Sequence, residues 1–441
     1  MASLAYKAEE EHNANSRARR LLYAEEAALA AKYLVSRVSN TGYVSASSEY
    51  FWYKPHWFRD SSFIAISLLD FASYFKNAYP ELAGEARNAA HRINEFNLKA
   101  VEHYAGSLKR AVSLAYEDPE FYKMSSHMPA RVNESFELFN ESGENGRFIN
   151  DVVGNNRWLI QYDTLPLVLL AVYEEKEKFG LSETETRIIR DNGRLLVNYL
   201  GKIYQTPASE AWETPETEYI YSYNIAAIFK AKQLLEGFAE SGMIDMRRDE
   251  IESAFNFLYT RGGIIGALKD VENNRILYSR RLPFNGPDTA FGVDAEELFV
   301  FTRFSIGSTE LGEGVEEATM KKIEDDLFGG NLLPIRNTHD EYFCGGRWLL
   351  LGLEYAIYKA RRGQLEEAEK RISYISSKYA DSMPEQEIVN PAHPESASGK
   401  NDLQRNNGMP IQKLNWSYAA FISAVIELNE STGREAFSLR E

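Results

Sequence analysis

The sequence predicts an all-α protein, an (α/α)6 toroid of about twelve helices in two concentric rings, and three observations carry that expectation. Apolar residues recur at 3.6-residue spacing in long stretches, with almost no convincing strand alternation. The links between those stretches alternate between short and long. No segment repeats at a fixed period, which argues against a helical solenoid.

The first helix is read from "RARRLLYAEEAALAAKYLVSR", rich in Ala and Leu with charges on the opposite face. The full set spans 17–37, 60–77, 82–103, 161–178, 182–203, 219–239, 247–260, 294–304, 312–328, 344–361, 364–379 and 414–430. Links after the even-numbered helices are hairpin-sized, such as "AYPE", "GLS" and "RG". Those after the odd-numbered helices are long and hold much of the Gly, Pro, Trp and Asn. If neighbouring helices run antiparallel, every long link lies at one end, forming one functional face. The whole chain, 1–441, is read as one domain.

Composition narrows the function. The chain has 441 residues, 44% hydrophobic and 13% aromatic, so it is expected to be globular throughout. A net charge of −16 repels polyanions and argues against a nucleic-acid partner. No run of about 18 apolar residues is present, so a soluble protein away from membranes is expected, and cytoplasmic residence is the simplest inference. The single cysteine, Cys344, excludes internal disulfides and multi-cysteine metal sites, and a buried thiol is expected there. His56 and His339 lack a spaced partner, so hydrogen bonding is expected of them rather than metal ligation.

The long links hold the candidate chemistry. The first, "SNTGYVSASSEYFWYKPHWFRDSSF", surrounds Arg59 and Asp60 with aromatics that include Tyr53 and Trp57. Rings that stack on a sugar face beside charged groups that bond its hydroxyls suit carbohydrate recognition, while Asp60 equally fits a helix cap. Gln161 and Asp163 stand where the fourth helix begins, and capping explains Asp163 as well as binding does. Trp212 and Glu213 follow the fifth helix, with Glu216 and Glu218 close behind. A glutamate packed against an indole loses hydration and tends to keep its proton. Asp294 is expected to cap the eighth helix. Arg336 and Asp340 precede a Gly-Gly that opens the tenth. After the eleventh comes "ADSMPEQEIVNPAHPES", whose prolines place Glu385 on a loop, and Trp416 opens the last helix. Two carboxylates among these are the pair needed to hydrolyse a glycosidic bond, one donating a proton and the other activating water.

Taken in order, "HWFRDSSF", "QYD", "AWETP", "VDAEEL", "IRNTHDEYFCGGRW", "MPEQ" and "LNWSYAAF" resemble glycoside hydrolase family 15, the glucoamylase-type enzymes, along nearly the whole chain. The resemblance implies that Glu213 is the general acid and Glu385 the general base. It implies that Arg59 and Asp60 bind the terminal glucose, and that Arg336 is a second sugar-binding arginine, with Asp340 beside it among the substrate-binding residues. Trp57, Trp212 and Trp416 would line the pocket. The implied reaction inverts the anomeric centre and releases β-D-glucose from non-reducing ends of short α-glucans, with no cofactor or metal. Thr214 stands where many members have a second acidic residue, and neither an amino-terminal β-sandwich nor a starch-binding module is read in the sequence. Trehalase or glucodextranase activity, a non-catalytic glucan-binding protein of the phosphorylase-kinase-like kind, and a helical-repeat scaffold stay open beside it.

Overall fold

The computed structural model describes residues 23–49, 53–117, 127–137, 161–203, 211–212, 219–255, 269–270, 274–276, 279–281, 293–388 and 391–438. Helices dominate it: α1 (23–37), α2 (Phe58–Tyr74), α3 (Pro80–Glu117), α4 (Thr164–Phe179), α5 (Glu183–Ile203), α6 (Ser222–Glu240) and α7 (Arg248–Ala254). They are followed by α8 (Glu297–Thr302), α9 (Ser308–Leu311), α10 (Val315–Ile323), α11 (Leu349–Arg361), α12 (Leu365–Tyr379), α13 (Ala397–Arg405) and α14 (Asn415–Ser438).

Six of these pack in a closed cycle. Helix α2 touches α4, α4 touches α6, α6 touches α8, α8 touches α11, α11 touches α14, and α14 returns to α2. The sequence explains why these six are internal. Stretches such as "LPLVLLAV" in α4 and "LLLGLEYAI" in α11 are apolar around most of the helix, and nearly every residue of α2, α8 and α11 is buried. The partners that cover them are amphipathic: α3 lies on α2, α5 on α3, and α12 on α11 and α14. Helix α1 reaches α14 through Tyr33 and Tyr418, whose ring centroids are 4.2 Å apart. One hydrophobic cluster runs from Tyr23 to Leu428.

Helix boundaries read from periodicity agree to within a few residues in most cases. The structure lengthens the third expected helix to Glu117 and the last to Ser438, and starts the tenth at Leu349. It also adds α13 inside the last long link and α9 inside a short one. Neither has enough residues to show a period. Residues 17–22 and 256–260 of the expected helices lie outside the described residues.

The expectation of almost no strand needs one amendment, because four two-stranded ladders occur among the described residues. Three of them join different long links. His56–Trp57 pairs with Arg131–Val132, Tyr219–Tyr221 with Ser279–Arg281, and Arg347–Trp348 with Gln386–Glu387. Two or three residues are too few for alternation to be visible, yet each ladder satisfies backbone groups where a long link dives toward the ring.

Gly345 and Gly346 make the last ladder possible. Gly345 has φ +70, and a Cβ there would stand 2.4 Å from the Asp340 carbonyl oxygen. A Cβ on Gly346 would stand 2.4 Å from both Gln386 Oε1 and the Glu387 carbonyl oxygen. The Gly346→Ala variant is expected to lose about 1–3 kcal/mol of stability through overpacking. A denaturation midpoint equal to that of the unaltered protein would show that the ladder can yield.

Candidate functional site

The internal helices begin beside the candidate residues. Arg59 and Asp60 stand in the first turn of α2, Asp163 immediately precedes α4, Asp294 comes just before α8, Trp348 precedes α11, and Trp416 is the second residue of α14. Long links touch one another here: Arg59 donates to the Ala211 carbonyl oxygen at 2.5 Å, and Ala295 N donates to the Arg336 carbonyl oxygen at 2.8 Å.

Glu385 is held by its backbone. Its N–H donates to the Ile411 carbonyl at 2.8 Å, and its carbonyl accepts from Leu349 N at 3.2 Å. The Pro384 carbonyl accepts from Ser417 Oγ at 3.1 Å. A chain without regular structure is thereby fixed to α11, α14 and the segment before α14. Met383, two residues earlier, adopts φ +24, and Phe343 and Cys344 on the neighbouring link adopt +48 and +66. Such backbone is uncommon for residues other than glycine and persists where the surroundings over-determine it.

The Glu385 side chain is 4% exposed. Its Oε1 accepts from Tyr53 Oη at 2.8 Å, and Tyr53 Oη lies 2.7 Å from Tyr342 Oη. Its Oε2 is buried and accepts no hydrogen bond from any described residue. Burial pushes the carboxyl up to about 8; the Tyr53 hydrogen bond and Arg336 oppose that shift, while Asp60 and Asp340 reinforce it. Burial, and then the Glu385 charge, hold the Tyr53 hydroxyl well above its usual range, so it remains a donor.

Arg336 and Asp340 form a second unit. Arg336 Nη2 donates to Asp340 Oδ1 at 2.7 Å, with the carboxylate buried. Asp340 also accepts from Tyr342 N at 3.0 Å and Trp348 Nε1 at 3.3 Å. The guanidinium lies 5.5 Å from the Trp212 ring, 5.6 Å from Tyr342 and 5.4 Å from Trp348. Three aromatic rings around one cation form a largely apolar wall with a charged edge.

Every guanidinium nitrogen of Arg59 donates to the protein. Its Nε donates to Asp163 at 2.5 Å and Nη2 to Gln161 Oε1 at 2.7 Å, in addition to the Ala211 carbonyl. Asp163 makes no side-chain cap on α4; it accepts instead from Arg59 and from Tyr223 Oη at 2.9 Å. Of the two readings available for Asp163, the structure therefore supports neither a cap nor an open ligand, but an ion pair that positions Arg59. Asp294, expected to cap α8, stands two residues before the observed N-cap, Glu296; it accepts from Glu296 N at 2.8 Å, Trp212 Nε1 at 2.7 Å and Asn337 at 2.9 Å and so ties the entering link together.

Trp57 lies in a small cluster with Ala46, Ala130 and Tyr53, and Arg131 covers its ring at 4.6 Å. Trp416 is buried, stacked 4.8 Å from Phe63 and 5.5 Å from Phe299, and its Nε1 has no hydrogen-bond partner among the described residues. Phe299 also faces Trp212, at 6.4 Å. Glu385, Asp60, Arg336, Asp340 and Trp212 thus share one neighbourhood, with Arg59, Trp57 and Trp416 joined to it through intervening side chains. Glu213, Glu216 and Glu218 lie outside the described residues.

His56 is buried and neutral, lowered to about 4 by burial. Its Nδ1 accepts from Val44 N at 3.0 Å, so Nε2 carries the proton toward Asn97 Oδ1 at 2.7 Å. Tyr342 and Trp348 have no mark in the sequence that separates them from other aromatics, and Tyr53 was visible only as one ring among several.

No protein-family model matches this chain, and a search of curated proteins finds no match. Solved structures do resemble it. A wild-type glycosidase superposes with a TM-score of 0.72 at 17% identity, covering 93% of this chain and 98% of that one. A variant glycosidase in complex with glucose gives the same TM-score, identity and coverage. A glucoamylase from Hormoconis resinae superposes with a TM-score of 0.55 at 15% identity, covering 93% of this chain and 74% of that one. The fold is therefore that of these glycosidase structures.

Glu385 should be visible in the stability of the protein. A carboxyl raised by burial holds its proton in the folded state at pH values where the unfolded chain has released it, so stability falls as pH rises between about 4.5 and 8. Glu385→Gln is expected to raise the thermal midpoint by several degrees at pH 8.5 and to leave it nearly unchanged at pH 4.5. Equal midpoints at both values would contradict the burial that the geometry shows.

Proposed function

We propose that this protein is a glycoside hydrolase of the glucoamylase type, similar to family 15, that inverts the anomeric centre while releasing β-D-glucose from non-reducing ends of short α-glucans. The observation that carries the reading is the Glu385 environment. A buried carboxylate is anchored by its backbone, has one oxygen on Tyr53 and the other free of described donors, and stands near Asp60 and the Arg336–Asp340 pair. The likeness to glycosidase structures, one holding glucose, supports the same reading. The closed cycle of six internal helices, partly covered by amphipathic ones, supports a single (α/α)6 toroid over residues 1–441.

In this mechanism Glu385, ionised, accepts a proton from the water that attacks the anomeric carbon. Glu213 donates a proton to the departing oxygen, and it directly follows Trp212, whose ring is fixed to Asp294 and faced by Arg336. Inversion asks the two carboxyls to stand about 6.5–9.5 Å apart. Asp60 and Arg336 bond the glucose hydroxyls, and Arg59, held by Asp163, shapes the adjoining wall. The Trp212 ring faces the sugar, while Trp57, covered by Arg131, and Trp416, stacked on Phe63 and Phe299, keep water from the wall behind it.

Raised to about 8, Glu385 also has the protonation expected of a donor, so the roles of the two glutamates need a direct test. With maltose, Glu213→Gln and Glu385→Gln are each expected to lower turnover by about 10²–10⁴-fold. With α-glucosyl fluoride, whose leaving group needs no protonation, Glu213→Gln should recover most of its rate and Glu385→Gln should not. Recovery by Glu385→Gln instead would exchange the two roles, and near-normal turnover of maltose by either variant would remove that residue from the mechanism.

The substrate is read from a panel of maltose, isomaltose, trehalose and maltotetraose, following glucose yield and the anomer formed. Release of β-glucose, fastest from maltotetraose or maltose, is expected. Preference for trehalose or isomaltose would reassign the linkage, α-glucose would exclude inversion, and saturable binding without release would favour a glucan-binding protein.

A further inference from the structure

Far from Glu385, three helices bring together a group of side chains that the proposed reaction does not use. His91 of α3, Glu175 near the end of α4 and Glu185 at the start of α5 place one ligand atom each within 4.8 Å of the others. Glu175 lies twelve positions beyond Asp163, about 18 Å along the helix axis, toward the end where α4 turns into α5.

The bonding pattern at this cluster is asymmetric within each carboxylate. Glu175 Oε2 accepts from Asn94 Nδ2 at 2.7 Å, and Glu185 Oε2 accepts from Ser182 N and Oγ, both at 2.8 Å. The outer oxygens are thus oriented by neutral donors. The inner oxygens converge on the imidazole, with Glu175 Oε1 2.9 Å and Glu185 Oε1 3.4 Å from His91 Nδ1. Glu185 is fully buried, and its Oε1 makes no hydrogen bond with any described residue. The other ring nitrogen, Nε2, lies 4.0 Å from Glu95 Oε2.

We propose that His91, Glu175 and Glu185 form a structural site for a divalent transition-metal ion of the zinc class, clamping α3, α4 and α5 together. Three features fit that chemistry. One imidazole and two carboxylates are a donor set that zinc accepts. Donors bound at about 2.1 Å stand ~3.0 Å apart in octahedral and ~3.4 Å apart in tetrahedral geometry, and the two inner contacts to Nδ1, 2.9 and 3.4 Å, fall close to that range. Hydrogen bonds to the outer carboxylate oxygens and a carboxylate toward the distal ring nitrogen are the supports that metal ligands usually have.

The competitor for the ion is a proton. The hydrogen bond to Glu175, and then the Glu185 carboxylate, push His91 up to about 10, so an entering ion displaces the proton on Nδ1. The titratable groups recorded against the imidazole are Glu175 from α4, Glu185 from α5, and Glu95 from α3 itself.

The test uses the full, tag-free chain after treatment with a chelator. Titration with Zn²⁺ is expected to show one saturable site and a raised thermal midpoint, and Co²⁺ to give a visible absorption band at one equivalent. His91→Gln should abolish saturable binding, and Asn94→Ala should weaken it by about 10–100-fold. If His91→Gln does not fold, the anomalous signal of zinc in crystals of the unaltered protein decides, with a peak expected between the three inner ligand atoms. Absence of saturable binding by the folded protein, or a peak elsewhere, would leave the cluster as an imidazolium ion pair only and overturn the proposal.

Discussion

The closed cycle of α2, α4, α6, α8, α11 and α14 is the constraint on which the rest depends. Helices buried almost all round cannot turn a charged face to water, so polar residues in these segments gather at helix ends or form internal networks. Arg303 illustrates the second outcome: it binds Glu354, fully buried on α11, and reaches Ser423 of α14 at 3.4 Å. The first outcome produces the site, because the long links that enter α2, α4, α8, α11 and α14 meet where Arg59, Asp163, Asp294, Trp348 and Trp416 stand.

At that meeting place burial and charge oppose each other. Glu385 is desolvated by the fold and bordered by Asp60 and Asp340, which both favour its proton. Tyr53 and Arg336 favour its charge. Arg336 is itself divided between Asp340 and the faces of three rings, so it does not simply neutralise Glu385. A carboxyl balanced in this way responds strongly to whatever bonds its second oxygen, which suits the proton exchange proposed for it.

Much of this was legible in the residues. Apolar period marked nearly every helix, and alternating link length indicated that the polar motifs share one end. The prolines around Glu385 signalled a loop carboxylate, whereas Gly345 and Gly346, read as opening the tenth helix, instead precede it and permit the close backbone approach of the ladder. The ladders were not legible, since Arg347–Trp348 and Gln386–Glu387 are too short for a pattern to develop. Nor was the division of labour among polar residues. Arg59 and Arg336 look equivalent in sequence, yet one is bound by Asp163, Gln161 and a carbonyl while the other is ringed by aromatics.

The sequence by itself determined the helical class, the order of the links and the identity of the candidate groups, because periodicity and turn chemistry act over a few neighbouring residues. Only the tertiary structure decided which side chains meet. Tyr53 and Glu385 are 332 positions apart, as Asn94 and Glu175 are 81 apart, and their contacts come from the cyclic packing of helices. No local pattern carries that distance, since ring closure depends on every internal helix at once.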